Sequence, residues 1–370
     1  MIFIILCIAA CFLAYSNGAN DNFKGVATLF GSGTTNYKKA ISWATVTTFA
    51  GSIAAIFLAG TLVKNFSGKG LVPDDLIQNP VFAISIALGA AITVLLATKI
   101  GMPISTTHSL VGGLFGAGVM AIGANFNFAK LGNTFLMPLI VSPLMAAVLS
   151  FIAYIIFRKL RKKLGVTKKS CVCISENQAS TRLSGSELSM QAHKSIEVTT
   201  CEEKCVENYN GQVLGITSQS VLDSLHFLSA GVVSFARGLN DTPKIVGLLI
   251  IINTIDIKYG MIAVAITMAI GGLMNAKKVG ITMSKKITPM NHGQGFTANL
   301  ITGILVTTAS IHGMPVSTTH VSVGSIFGIG TASKKADVKM ISKILISWVL
   351  TLPIAALMSA LCFKVLESIL

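Results

Sequence analysis

The sequence predicts an all-α polytopic membrane protein, built as two homologous repeats that contain broken helices and re-entrant helical hairpins. Three observations carry that expectation. The chain of 370 residues is 52% hydrophobic and only 12% charged, roughly half the charge of an ordinary soluble domain. It contains several apolar runs that meet the length of roughly 20 residues needed to cross a bilayer. And one stretch is written twice: 101–118 read GMPISTTHSLVGGLFGAG and 313–330 read GMPVSTTHVSVGSIFGIG, identical at twelve positions. Such internal repeats outrank every local pattern in deciding a fold.

Taken in order, the elements begin with MIFIILCIAACFLAYSNG. No basic residue precedes this apolar run, so it lacks the charged start of a cleavable signal and is expected to be a retained first transmembrane segment. Cys7 and Cys11 in it, and Cys362 near the end of the chain, are expected to be small packing residues. GANDNFKG follows at 18–25, then apolar runs over 40–63 and 80–99, the first GMPISTTH segment, and a run over 133–157 that completes a first transmembrane repeat, 1–157.

Arg158, Lys159, Arg161, Lys162, Lys163, Lys168 and Lys169 come next. A basic cluster at the end of a membrane helix marks the cytoplasmic side and can touch anionic head groups. This placement accounts for much of the net charge of +15 without invoking nucleic acid, which is excluded as a partner. Residues 158–212, rich in Ser, Thr, Glu, Gln and Lys, have no apolar periodicity and cannot bury enough surface to fold alone. They are expected to be a partly disordered cytoplasmic linker. Cys171, Cys173, Cys201 and Cys205 within it follow no recognised zinc spacing and are expected to be free thiols. The second transmembrane repeat, 213–370, carries apolar runs at 213–235, 258–275, 290–311 and 340–362, with GLNDTPK at 238–244 and the second GMPVSTTH between the last two.

The repeated motifs point to a transport site. In each, a Gly, a Pro two residues on and the run Ser-Thr-Thr-His precede a Gly-rich apolar stretch. Proline is favoured in the first turn of a helix and Ser or Thr at its cap, so each motif is expected to start a helix inside or near the membrane. Free N–H groups and the positive dipole end at such a start form an anion site. Ser105, Thr106, Thr107, Ser317, Thr318 and Thr319 would add donors without charge. Interrupted helices at matching points of two repeats are the pattern of secondary transporters. Upstream, Asn20 aligns with Asn240, Asp21 with Asp241 and Lys24 with Lys244. The aspartates fall at breaks in apolar sequence, where an ionisable residue is costly and therefore functional; their oxygens suit Na⁺, and a carboxylate could instead carry a proton. Asp21, Lys24, Asp241 and Lys244 sum to zero when ionised, so an entering anion would need a companion cation. His108 and His320 are expected to pack or cap.

With both motif pairs in hand, the chain resembles the inorganic phosphate transporter (PiT) family, whose members are Na⁺- or H⁺-coupled. The resemblance rests on G-x-N-D early and P-[IV]-S-T-T-H late in each repeat, with GFTANL at 295–300 upstream of the second copy. It implies inverted repeats with phosphate held between them by the Ser-Thr-Thr triplets. Asn20, Asp21, Asn240 and Asp241 would serve the coupling ion, Na⁺ included, with Lys24, Lys244, Gln294 and Asn299 as accessory candidates. The chain departs from the family in one respect: where N-D-x-A-N-A is usual, it reads NDNFKG and NDTPKI, placing lysine where a further Asn is expected. The implied activity is symport of inorganic phosphate with Na⁺ or H⁺ by alternating access, in the cell membrane. A sulfate permease of the same architecture is the alternative, followed by an anion channel. No enzymatic motif occurs and no resident cofactor is expected. The partners expected are inorganic phosphate or sulfate, Na⁺ or H⁺ and the lipid bilayer, with a homo-oligomer left open.

Overall fold

A computed structural model describes residues 2–163, 216–252 and 256–369, with short strand segments at Thr167–Lys169, Asn208–Asn210 and Gln212–Val213. Ten long helices organise it: α1 Ile2–Asp21, α2 Tyr37–Leu58, α3 Pro80–Ile100, α4 Thr106–Ile122, α5 Met137–Lys163, α6 Ser218–Val246, α7 Ile257–Asn275, α8 His292–Ile311, α9 Thr318–Ser333 and α10 Val338–Ile369. Their starts follow from sequence. Asn36, Asn79, Thr217, Asp256 and Asn291 each cap a helix through a side-chain oxygen, satisfying one of its orphan N–H groups.

Among the described residues, seven segments are long and apolar enough to cross a membrane: Ile2–Gly31, Tyr37–Leu58, Pro80–Ile100, Thr106–Asn125, Phe128–Lys163, Ile257–Asn275 and Val338–Ile369. The runs expected to span at 213–235 and 290–311 do form helices, α6 and α8, but fall outside that set. The reason is internal polarity. Arg237, Asn240, Asp241 and Lys244 on α6, and Gln294, Thr297 and Asn299 on α8, are buried against other helices. The exposed side chains of the outer helices are apolar instead, as with Ile140, Leu144, Val148 and Ile152 on α5 and Leu345, Val349 and Leu357 on α10. An apolar outside around a polar inside is what a lipid solvent requires.

The repeats interlock. α1 packs on α7 and α2 on α6, while α3 and α4 from the first repeat pack on α10 from the second, and α9 from the second packs on α5 from the first. Two glycines permit the central crossings. A Cβ at Gly18 would meet the Met268 carbonyl, and one at Gly238 the Thr48 carbonyl. These residues hold the same place in the two G-x-N-D motifs.

α5 continues past 157 to Lys163, so Arg158, Lys159, Arg161, Lys162 and Lys163 lie on a helix rather than in the linker. Their charge opposes the negative end of the helix dipole. Beyond it, Thr167–Lys169 pairs antiparallel with Asn208–Asn210, and Gln212–Val213 with Ile216–Thr217. The rest of the expected linker, with Cys171, Cys173, Cys201 and Cys205, lies outside the described residues.

Candidate functional site

Both STTH motifs are built alike. α3 ends at Gly101, whose φ of 75° is left-handed; its N–H donates to the Thr98 carbonyl at 3.0 Å and that of Met102 to Ala97 at 2.9 Å. α8 ends the same way before Gly313, φ 70°, with Gly313 N–H to Ser310 at 3.1 Å and Met314 N–H to Ala309 at 2.8 Å. Glycine is the residue that adopts this conformation freely. The segments 102–105 and 314–317 then run to the caps, where Ser105 Oγ accepts from His108 N–H at 3.1 Å and Ser317 Oγ from His320 N–H at 3.3 Å. Pro103 and Pro315 are not in the first helical turn, as expected from sequence, but two residues before the cap. There their fixed φ and their effect on the preceding residue hold the connecting segment out of the helix.

The two breaks meet. Thr107 Oγ1 donates to the Val316 carbonyl at 3.3 Å, and Thr319 Oγ1 to the Ile104 carbonyl at 3.0 Å. Each helix start therefore holds the segment leading into the other, and the positive dipole ends of α4 and α9 come together.

Around this crossing lie the ND motifs. Asn20 Nδ2 donates to Thr98 Oγ1 at 2.9 Å and to the Met102 carbonyl at 3.1 Å. Asn240 Nδ2 donates to the Val316 carbonyl at 3.1 Å and to Thr318 Oγ1 at 3.3 Å, while Ser310 Oγ donates to Asn240 Oδ1 at 3.2 Å. Thr106 Oγ1 donates to Asp21 Oδ2 at 3.2 Å. Lys24 Nζ lies 2.5 Å from Asp21 Oδ1 and 2.6 Å from Thr319 Oγ1; Lys244 Nζ lies 3.5 Å from Asp241 Oδ1 and 2.7 Å from Thr107 Oγ1. Each lysine thus pairs with its own aspartate and reaches a hydroxyl of the other repeat. Asp21 closes α1 at a break, as expected, but Asp241 lies inside α6, which runs on through Pro243 to Val246.

Sequence reasoning missed Arg237. It is 1% exposed; its Nη2 donates to Asn17 Oδ1 at 2.6 Å, its Nη1 to Asn22 Oδ1 at 2.9 Å, and its Nε lies 3.6 Å from Asp241 Oδ2. Asn17 Nδ2 in turn donates at 3.3 Å to both Asp21 Oδ2 and Asp241 Oδ2. Aligning the ND motifs places Asn17 on Arg237, so one position of the repeat carries an amide in one copy and a guanidinium in the other. The available signal was an arginine within the apolar run SAGVVSFARGL. With Arg237 included, three cations face two carboxylates, and the centre is net positive when ionised rather than neutral. Such an excess favours an anion directly.

None of the residues that carry these hydroxyl, amide or charged groups around the crossing is more than 4% exposed, from Ser105 and Asn20 through Arg237 to Thr319. The His108 and His320 rings lie with centroids 4.4 Å apart, tilted by 40° to each other, and Trp348 stacks on His320 at 3.7 Å while the Trp348 Nε1–H donates to the Pro103 carbonyl at 3.3 Å. Packing is thus the role the histidines take. Gln294 and Asn299 do not join the centre. Gln294 completes the capping box with Asn291 at the start of α8. Asn299 accepts from Thr28 Oγ1 at 3.0 Å, in a separate polar chain with His226. Among the described residues no group of three or more His, Cys, Asp or Glu side chains forms a metal site.

A double helix break holding buried charges, inside an apolar helical shell, is the arrangement of a membrane transport protein. The chain belongs to the phosphate transporter family, whose sequence pattern matches residues 17–359, and it is a multi-pass integral protein of the cell membrane, not an enzyme. A Pyrococcus horikoshii protein described as a phosphate permease is 30% identical over 396 residues, 96% of this chain and 95% of that one. The chloroplastic inorganic phosphate transporter of Arabidopsis thaliana is 26% identical, covering 97% of this chain and 71% of that one. A solved structure of a sodium-dependent phosphate transporter superposes with a TM-score of 0.77 at 25% identity, covering all of both chains.

Proposed function

We propose that this chain is a secondary active carrier that moves inorganic phosphate across the membrane with a cation, Na⁺ or H⁺, by alternating access. In this reading the repeats are inverted copies, the two breaks are re-entrant hairpins, and phosphate is held between them. The observation that carries it is the meeting of two serine-capped helix starts, each bonded to the segment leading into the other. Helix N-termini supply N–H donors and positive potential to an anion, and Thr106, Thr107, Thr318 and Thr319 add hydroxyls. In the closed arrangement these hydroxyls bond protein partners, so an incoming phosphate replaces those bonds rather than entering an open slot. Asp21 and Asp241 are the acceptors for a proton that phosphate still carries at neutral pH; sulfate has none to offer.

The test is labelled phosphate uptake into proteoliposomes under an imposed Na⁺ gradient, an imposed proton gradient or neither, with unlabelled sulfate as competitor. Gradient-driven accumulation of phosphate that resists sulfate is expected. Driven uptake of sulfate in place of phosphate would overturn the substrate, and equilibration that no gradient drives uphill would overturn the coupled mechanism in favour of a channel.

A further inference from the structure

The two lysines of the centre occupy surroundings made for a cation. Lys24 Nζ has four oxygens about it: Asp21 Oδ1 at 2.5 Å, the Ile104 carbonyl at 2.6 Å, Thr319 Oγ1 at 2.6 Å and Asn20 Oδ1 at 2.8 Å. They comprise a carboxylate, an unwound backbone carbonyl, a hydroxyl and an amide oxygen, drawn from both repeats. An ammonium has three N–H donors. Four oxygens this close are therefore more than lysine needs, and they form the kind of shell a hard cation takes from carboxylates and carbonyls.

Lys244 lies at the matching place in the other copy. Its Nζ has the Val316 carbonyl at 2.6 Å, Thr107 Oγ1 at 2.7 Å and Asp241 Oδ1 at 3.5 Å, with the Phe66 ring centroid 5.7 Å away. The ligands correspond one to one, Val316 with Ile104, Thr107 with Thr319 and Asp241 with Asp21. The oxygens around Lys244 are fewer and more distant, because Asn240 turns its Nδ2 toward Asp241, Val316 and Thr318.

We propose that Lys24 and Lys244 act as tethered cations, their ammonium groups filling the oxygen cages a transported Na⁺ would need, so that this chain handles its anion without binding Na⁺ at either cage. The proposal deepens the carrier reading and rests on it for its transport meaning. Charge supports it. The two ammonium groups already balance Asp21 and Asp241, and Arg237 supplies the surplus positive charge that an anion meets. A Na⁺ at either cage would stand against an ammonium held by the same oxygens. The structurally similar transporter named as sodium-dependent would then differ from this chain in what accompanies its anion.

A purely structural ion pair predicts something different: loss of stability on removing the lysine, with no new ion requirement. The experiment compares thermal unfolding of the full-length protein in detergent as choline chloride is exchanged for NaCl or KCl at constant ionic strength. Wild type, Lys24→Asn and Lys244→Asn are measured side by side, each substitution exchanging the ammonium for an amide oxygen. The wild type is expected to show no saturable Na⁺-specific rise in melting temperature. Lys24→Asn is expected to gain one, since a ligand bound only by the folded state raises its stability. Lys244→Asn, at the looser cage, is a second variant should the first not fold. A Na⁺-specific rise in the wild type would overturn the proposal, and so would variants that fold but remain indifferent to Na⁺. Phosphate affinity of the variants is read in parallel, expected to rise about 5-fold or more with Na⁺, the lower end of ordinary coupling. Because the melting readout needs no phosphate, a protein that fails to transport phosphate still decides the matter of Na⁺.

Discussion

At the scale of single residues, each aspartate of the centre is paired with a buried cation, so removing one charge leaves a partner to be compensated. Asp21→Asn or Asp241→Asn is expected to abolish driven phosphate uptake while the protein still elutes as a folded particle in detergent; full uptake by both variants would free these aspartates from the transport role. Arg237 is the sharper case. It holds Asn17 and Asn22 with two nitrogens and faces Asp241 with a third, and removing one partner of a buried charge pair costs about 3–5 kcal/mol. Arg237→Leu should therefore lower the melting temperature markedly. Arg237→Lys keeps the charge but loses the planar fork, so it should fold and show reduced uptake; equal uptake by Arg237→Lys would show that charge alone suffices. Thr106→Val and Thr318→Val should each weaken phosphate binding by about 1–3 kcal/mol, the cost of a buried group left without its partner, as read by uptake at graded phosphate concentrations. Most of these positions were legible as motif residues before any fold was known. Arg237 was not, because its counterpart in the first repeat is Asn17, and a search for identities between repeats passes over a position where the two copies differ.

At the scale of elements, the informative feature is how one helix is made to stop and the next to start within a few residues. The left-handed Gly101 and Gly313, the prolines, and the serine caps each act locally, which is why a helix start could be read from the motif itself. The exact start could not: proline is as well suited to an extended approach as to a first turn, and only the cap bonds from Ser105 and Ser317 decide between them. Ser105→Ala and Ser317→Ala are expected to destabilise the fold by about 0.5–2 kcal/mol each. Helix crossings make a second prediction. Gly18→Ala and Gly238→Ala would drive a methyl into the Met268 and Thr48 carbonyls, at about 1–3 kcal/mol or more. Gly132→Ala, where a Cβ meets nothing within 4 Å, serves as the neutral control. Comparable melting temperatures for all three would remove the close-approach argument.

At the scale of the whole molecule, the two repeats do not lie side by side. The helices of one pack on those of the other, α4 on α10 and α9 on α5, and each lysine reaches across to the opposite repeat. None of this exchange was legible in the sequence, since apolar periodicity reports that a helix has a buried face but not which helix covers it. The expected consequence is that segments 1–163 and 216–370, produced as separate chains in one cell, copurify and restore uptake that neither gives alone. Failure to copurify would mean that the linker, not the packing, keeps the repeats together. The stack of Trp348 on His320, with its indole bonded to Pro103, adds an optical consequence. The chain has only two tryptophans, and the other, Trp43, lies at a distance in sequence against Phe227. Substituting Trp43→Phe leaves a single indole touching both copies of the repeated motif, so that opening of the crossing can be followed as a change in the colour and intensity of ultraviolet emission from the unlabelled protein.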